Sequence, residues 1–213
     1  MQNNLISLIN EFGEPDALID HWKGDAIGYA VWGFKDTLIW DNSGLYVSNK
    51  KVAPSFEKVQ YILDKWKKDS KQISTVGFIN YNFKNILFPH LSFKNYNKQF
   101  PYLFFAKPKM IRTYKIETTN SKQVSINLKK DLLKYDIYKD IIKKIKHELR
   151  LGNTYQINFT NDKHYECSHY GFDMYMYLRN YAKPKYGFYI NYAKFKILSL
   201  SPEIFFKKSG NII

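Results

Sequence analysis

Cysteine is almost absent: Cys167 is the only one in 213 residues. No internal disulfide can form, and nothing points to an oxidising compartment. Arginine is scarce too, with only Arg112, Arg150 and Arg179 among 33 basic residues; every other one is lysine. No apolar run reaches the roughly 20 residues needed to cross a bilayer. The start, Met1 to Asn10, has neither a basic n-region nor a small-residue cleavage site. Also missing are a glycine-rich phosphate loop, an H-E-x-x-H zinc helix and a G-x-S-x-G nucleophile elbow. These absences leave a soluble cytoplasmic protein, with no membrane partner, as the expectation.

What is present in quantity is apolar surface and lysine. At 45% hydrophobic and 18% aromatic residues, the chain can bury a real core. The formal net charge of +14 invites a nucleic-acid reading. The details oppose it, because phosphate and base recognition favour the planar arginine fork. The lysines are also spread along the whole chain, with short groups such as Lys67-Lys68 and Lys143-Lys144 on expected solvated helix faces. No nucleic-acid partner is expected.

Residues 26–40 read as a hairpin, AIGYAVWGF followed by DTLIW. Pro54 opens a helix to about Asp69, with Phe56, Val59, Ile62, Leu63 and Trp66 as a core stripe. Strands are expected at 74–81, 102–106, 110–117 and 123–128, separated by Pro108 and the polar 118–122 turn. Near residue 130 the character changes, which divides the chain into regions 1–130 and 131–213. A helix from Tyr135 to Leu151 carries Ile137, Ile141, Ile145 and Leu149 on one face, and Gly152 ends it. A strand at 154–160, a helix at 172–182, strands at 186–192 and 196–201, and a short strand at 204–207 complete the expectation.

Few side chains suggest chemistry on their own. His164, Cys167 and His169 lie close together, but a polar loop explains them as well, and a structural zinc wants a fourth ligand. No metal site is expected from them. On the 154–160 strand, Tyr155, Ile157 and Phe159 fall on one face and Gln156, Asn158 and Thr160 on the other. The polar row lines either a wet cavity or an ordinary solvent face. Glu203 follows a strand ended by Pro202, as an exposed turn glutamate or as an acid or base at a sheet edge.

The segment Leu151-Gly-Asn-Thr-Tyr-Gln-Ile-Asn-Phe-Thr160 resembles a signature of the chorismate-utilising family, which includes anthranilate synthase and aminodeoxychorismate synthase component I. Tyr177-Leu-Arg179, Tyr186-Gly-Phe-Tyr189 and Ile197-Leu-Ser-Leu-Ser-Pro-Glu203 follow in the family's order. Gly77-Phe-Ile-Asn-Tyr81 resembles a strand of its N-terminal half. Several short motifs in the right order are far more specific than one.

The resemblance implies an α+β fold, part of a two-sheet sandwich with flanking helices. Region 1–130 would be the N-terminal component I region, and 131–213 the incomplete start of the chorismate-binding domain. It implies that Glu203 is the general acid that protonates the departing C4 hydroxyl of chorismate. A lysine in a Pro-Ile-Lys-Gly-Thr motif, expected a few residues beyond Ile213, would then attack the ring. The ligands of the family's Mg²⁺ would also lie beyond this chain. The implied partners are chorismate and a glutamine amidotransferase subunit that supplies ammonia. Many members bind tryptophan, and Lys185, Tyr186 and Gly187 match one part of that pocket. A lysine stands at 185 where proline is usual, no serine-containing loop is recognisable near the start, and packing is the expected role of Tyr186. The motif wording leans to the aminodeoxychorismate enzymes, with anthranilate synthase or a non-catalytic binding remnant as alternatives. The chain alone is expected to be inactive and only marginally soluble.

Overall fold

The computed structural model describes residues 4–22, 26–70, 73–93, 100–131, 133–193 and 195–208. The fold is α+β, with helices packed on an antiparallel sheet. In chain order the elements are α1 (Leu5–Phe12), β1 (Ala17–Asp20), β2 (Ile27–Asp41), β3 (Gly44–Val47), β4 (Lys50–Val52), α2 (Phe56–Lys68) and β5 (Val76–Ile79). A short helix α3 (Lys84–Leu87), β6 (Leu103–Lys115), β7 (Ile126–Asp131), α4 (Tyr135–Arg150), β8 (Lys163–Cys167), α5 (Phe172–Ala182), β9 (Tyr186–Tyr192) and β10 (Phe195–Ser201) follow.

The expected hairpin at 26–40 is one long strand. Its middle, which reads as a turn, is a bulge: Phe34 pairs with Pro108 and Asp36 with Lys107, leaving Lys35 as the extra residue. The two strands expected on either side of Pro108 are likewise the single strand β6. Proline has no N–H to give to a ladder, and an extra opposing residue is the local geometry that tolerates it. The true hairpin turn comes at Asn42-Ser43, where β2 returns as β3.

The ladder runs β10-β9-β1-β2-β3-β4, while β6 covers the other edge of β2 and carries β5. Period-two alternation divides its side chains. On one face, Leu18, Ala30, Trp32, Tyr114 and Tyr189 are buried under Leu5 and Leu8 of α1 and Tyr175 and Met176 of α5. Further along, Leu38, Trp40, Leu45 and Leu103 are buried under Val59, Ile62 and Trp66 of α2. Of its expected stripe, Val59, Ile62 and Trp66 are buried and Leu63 partly so, while Phe56 is exposed. Its Ser55 side chain accepts the Lys58 N–H as an N-cap.

The opposite face holds Ala17, Val31, Val76, Phe104, Ala106 and Ile190. Here Phe104 meets Tyr192 at 4.7 Å between ring centroids, and Phe78 meets Phe195 at 5.5 Å. Strands β1 and β2 lie between β9 and β6, so a flat sheet would hold Phe104 and Tyr192 roughly 14 Å apart, and Phe78 and Phe195 farther still. The contact shows that the sheet curls until its two ends share an aromatic core.

Residues 126–170 stand apart from this core, while the stretch before them is tied to α5 by Thr119 with Asn180 and Lys122 with Asp173. A separate two-stranded ladder joins β7 to β8, so the expected polar loop around His164 is a strand. Helix α4 has the expected bounds, and Gly152, at φ 74°, closes it with its N–H on the Leu149 carbonyl. Its apolar face is only partly covered by described residues, however: Ile137 is 51% exposed, Ile141 and Ile145 are half-buried, and no α4 residue is fully buried. The expected strands 154–160 and 204–207 are irregular and mostly exposed, with Tyr155 at 94% and Phe205 at 97%. Alternation alone cannot make a strand. It needs a neighbouring ladder, and among the described residues neither segment has one.

Candidate functional site

A buried polar cluster beneath α5 fixes the part of the sheet that leads to the candidate acid. Asp20 ends β1 and Arg179 lies on the inner side of α5, and both side chains are fully buried. Arg179 Nε donates to Asp20 Oδ2 at 2.6 Å, and Nη2 donates to Oδ1 at 3.4 Å. The Tyr175 hydroxyl adds a hydrogen bond to Oδ2 at 2.7 Å, and the Tyr114 hydroxyl bonds to Oδ1. The guanidinium lies 5.3 Å from the Trp22 ring centroid. A buried charge without partners is very costly, so the carboxylate is surrounded by donors and the guanidinium by a carboxylate and ring faces.

Both phenols are held neutral far above their ordinary range. For Tyr114 and Tyr175 the first cause is burial, and the negative charge of Asp20 adds to it. Tyr189 is raised in the same direction by burial and by its hydrogen bond to Glu14, at 2.9 Å. Above the unfolded pKa of about 10, an unfolded tyrosine loses its proton while the folded one keeps it, so stability falls as pH rises. Each such tyrosine removes about 1.4 kcal/mol per pH unit there. Denaturation followed at pH 8 and pH 11 should show a lower midpoint at pH 11, with the tyrosinate absorbance of the buried phenols appearing only on unfolding.

Gly187 belongs to this cluster. It pairs with Asp20 across the β1–β9 ladder, and a Cβ there would sit 2.6 Å from the Tyr175 hydroxyl and 3.0 Å from Asp20 Cβ. Only glycine leaves room for the ion pair. Beside it, Tyr186 stacks on His21 with centroids 5.3 Å apart, and Lys185 Nζ lies 5.2 Å from the Tyr186 ring centroid. Lys185 and Tyr186 are half-buried, so packing accounts for the contacts of all three residues.

Strand β9 pairs along its whole length with β10, from Tyr186↔Ser201 to Tyr192↔Phe195. Glu203 stands two residues after the end of β10. Its N–H donates to Ser201 Oγ at 3.4 Å, and its carbonyl accepts from the same hydroxyl at 2.6 Å. The serine thus fixes the backbone of the turn, while the Glu203 side chain is exposed, without a bonded partner among the described residues. A carboxylic acid that protonates a leaving group works best when shielded from water.

Gln156, Asn158 and Thr160 are exposed, and Gln156 Nε2 donates to Asn158 Oδ1 at 3.3 Å. His169 Nδ1 lies 3.0 Å from Ser168 Oγ. Among the described residues, no three His, Cys, Asp or Glu side chains converge as metal ligands. Among the same residues, no helix is long and apolar enough to cross a membrane.

The pair of Asp20 and Arg179 was not singled out from sequence. The signal available was the rarity of arginine: one of three lies mid-helix, in a Tyr-Leu-Arg motif, beside four aromatic residues.

The family model described as chorismate binding enzyme matches residues 115–213, a little under half of the chain. No curated protein matches the chain. The matched region contains α5 with Arg179, the β9–β10 pair and Glu203. This match supports the chorismate-utilising enzyme family for that part of the chain.

Proposed function

We propose that the chain is the N-terminal part of an aminodeoxychorismate synthase component I, which converts chorismate and ammonia to 4-amino-4-deoxychorismate for para-aminobenzoate and folate synthesis. The observation that carries the reading is the family match over residues 115–213. The order of its motifs, ending in Ser-Pro-Glu203 at the tip of a sheet strand, adds to it. In this reading Glu203 donates its proton to the C4 hydroxyl, which then leaves as water. Ammonia comes from a glutamine amidotransferase subunit, and the ring-attacking lysine and the Mg²⁺ ligands come from residues outside this chain.

The exposed face of α4, the 154–160 segment and the aromatic pair Phe205 and Phe206 fit the same reading. Such surfaces are an aggregation hazard when uncovered, and further structure of the same enzyme would bury them together with Glu203. The coding frame after the Ile213 codon tests the proposal: a Pro-Ile-Lys-Gly-Thr motif within a few codons is expected. Alanine in place of the lysine would make the enzyme an anthranilate synthase, and a stop codon would leave a non-catalytic remnant. The 213-residue chain by itself should not turn over chorismate with ammonia.

A further inference from the structure

Four elements far from Glu203 in the sequence converge on one cleft of about 430 Å³. Lys35 comes from the bulge of β2, Lys50 from β4, Lys58 and Lys65 from α2, and Lys107 from β6. Lys58, Ile62 and Lys65 stand at i, i+4 and i+7, so the helix turns both ammonium stems and an apolar side chain to the same side.

The carboxylates at the cleft are engaged. Asp69 accepts from Lys107 Nζ at 2.9 Å, and Asp36 accepts from Ser48 Oγ at 2.9 Å. The hydrogen bond from Lys107 and then its charge, with smaller contributions from Lys65 and Lys35, hold the Asp69 carboxyl below its ordinary range. Lys35, Lys50, Lys58 and Lys65 are exposed and form no ion pair among the described residues. Five lysines against two aspartates leave the cleft strongly positive over an apolar floor that includes Ile62 and Trp66. A concave, partly apolar wall focuses such a field and strengthens it relative to open water.

The geometry points to a binding site for a small multivalent phosphate in this cleft. Lysine supplies compact charges with rotatable donors, which suits the many oxygens of a di- or triphosphate. The arginine fork serves bidentate recognition of carboxylate and phosphate alike. None of the three arginines lines the cleft, so binding here rests on lysine point charges, which suit the dense charge of a multivalent phosphate.

Titration calorimetry of the full chain with inorganic tripolyphosphate tests the site. One ion is expected to bind per chain, with affinity falling as salt rises. The double variant Lys58→Gln/Lys65→Gln should weaken binding by about tenfold or more, through the loss of two charge-assisted contacts. A control pair on α4, Lys143→Gln/Lys146→Gln, removes the same charge elsewhere and should change affinity by less than about twofold. All four lysines are exposed, so both double variants should melt with the parent chain. Equal weakening by the two pairs would mean only general attraction to a basic protein and would overturn the site. So would absence of binding, or binding of a poly-glutamate peptide without tripolyphosphate.

Discussion

Arg179→Ala is expected to destabilise the chain by about 3–5 kcal/mol, because it strips a buried carboxylate of its counter-charge. Against a typical total stability of about 5–15 kcal/mol, that loss brings the fold close to its threshold. Asp20 would keep only the two tyrosine hydroxyls, and its charge would have no opposite partner among the groups that surround it. The reciprocal Asp20→Ala should cost a similar amount by leaving the guanidinium buried and unpaired. Removing both charges together, as Asp20→Asn with Arg179→Met, should cost less than either single alanine change, since no charge is then stranded. Urea denaturation of the four proteins checks the ordering. A change below about 1 kcal/mol for Arg179→Ala, the size of an exposed pair, would contradict the buried ion pair.

Glu203→Gln in the enzyme translated through the codons beyond Ile213 is expected to lower kcat for chorismate by about 10²–10⁴-fold. Glutamine keeps the size of the side chain and removes its acidic proton, so the ground-state fit, read as KM, should change little. The turn is held by Ser201 through backbone atoms of Glu203, so its conformation should survive the change. Equal kcat in the variant and the parent would remove Glu203 from the chemistry. A rise in KM with kcat unchanged would make it a binding residue instead.

Much of the fold was legible in the sequence where local chemistry and long-range packing agree. Helix α2 carries a core stripe and a serine cap, and α4 ends at a glycine that closes it. Helix α5 and strand β9 have their expected bounds. The errors cluster where the outcome depends on a partner far along the chain. The polar pair Lys35-Asp36 after Gly33 and a proline at 108 each look like a chain reversal alone. Placed opposite each other in one ladder, they form a single bulge that lets two strands run through. Residues 154–160 show the converse, because their alternation is real but no described strand lies beside them. The polar face was visible, while the neighbour that decides between strand and loop was not.

The candidate site divides in the same way. Glu203 came from a linear motif, and it stands two residues after β10 with its side chain exposed. The ion pair that ties α5 to β1 joins residues 159 positions apart, and no local pattern announces it. Gly187 shows how the two levels meet. It was noted through resemblance to a ligand pocket, and the fold shows that its missing side chain makes room for Asp20 and Tyr175.

The central claim is most directly tested by incubating the protein translated through the frame beyond Ile213 with chorismate and ammonium and identifying the product. The expected product is 4-amino-4-deoxychorismate, lost in Glu203→Gln. Anthranilate as the product, or no consumption of chorismate by the folded protein, would contradict the claim.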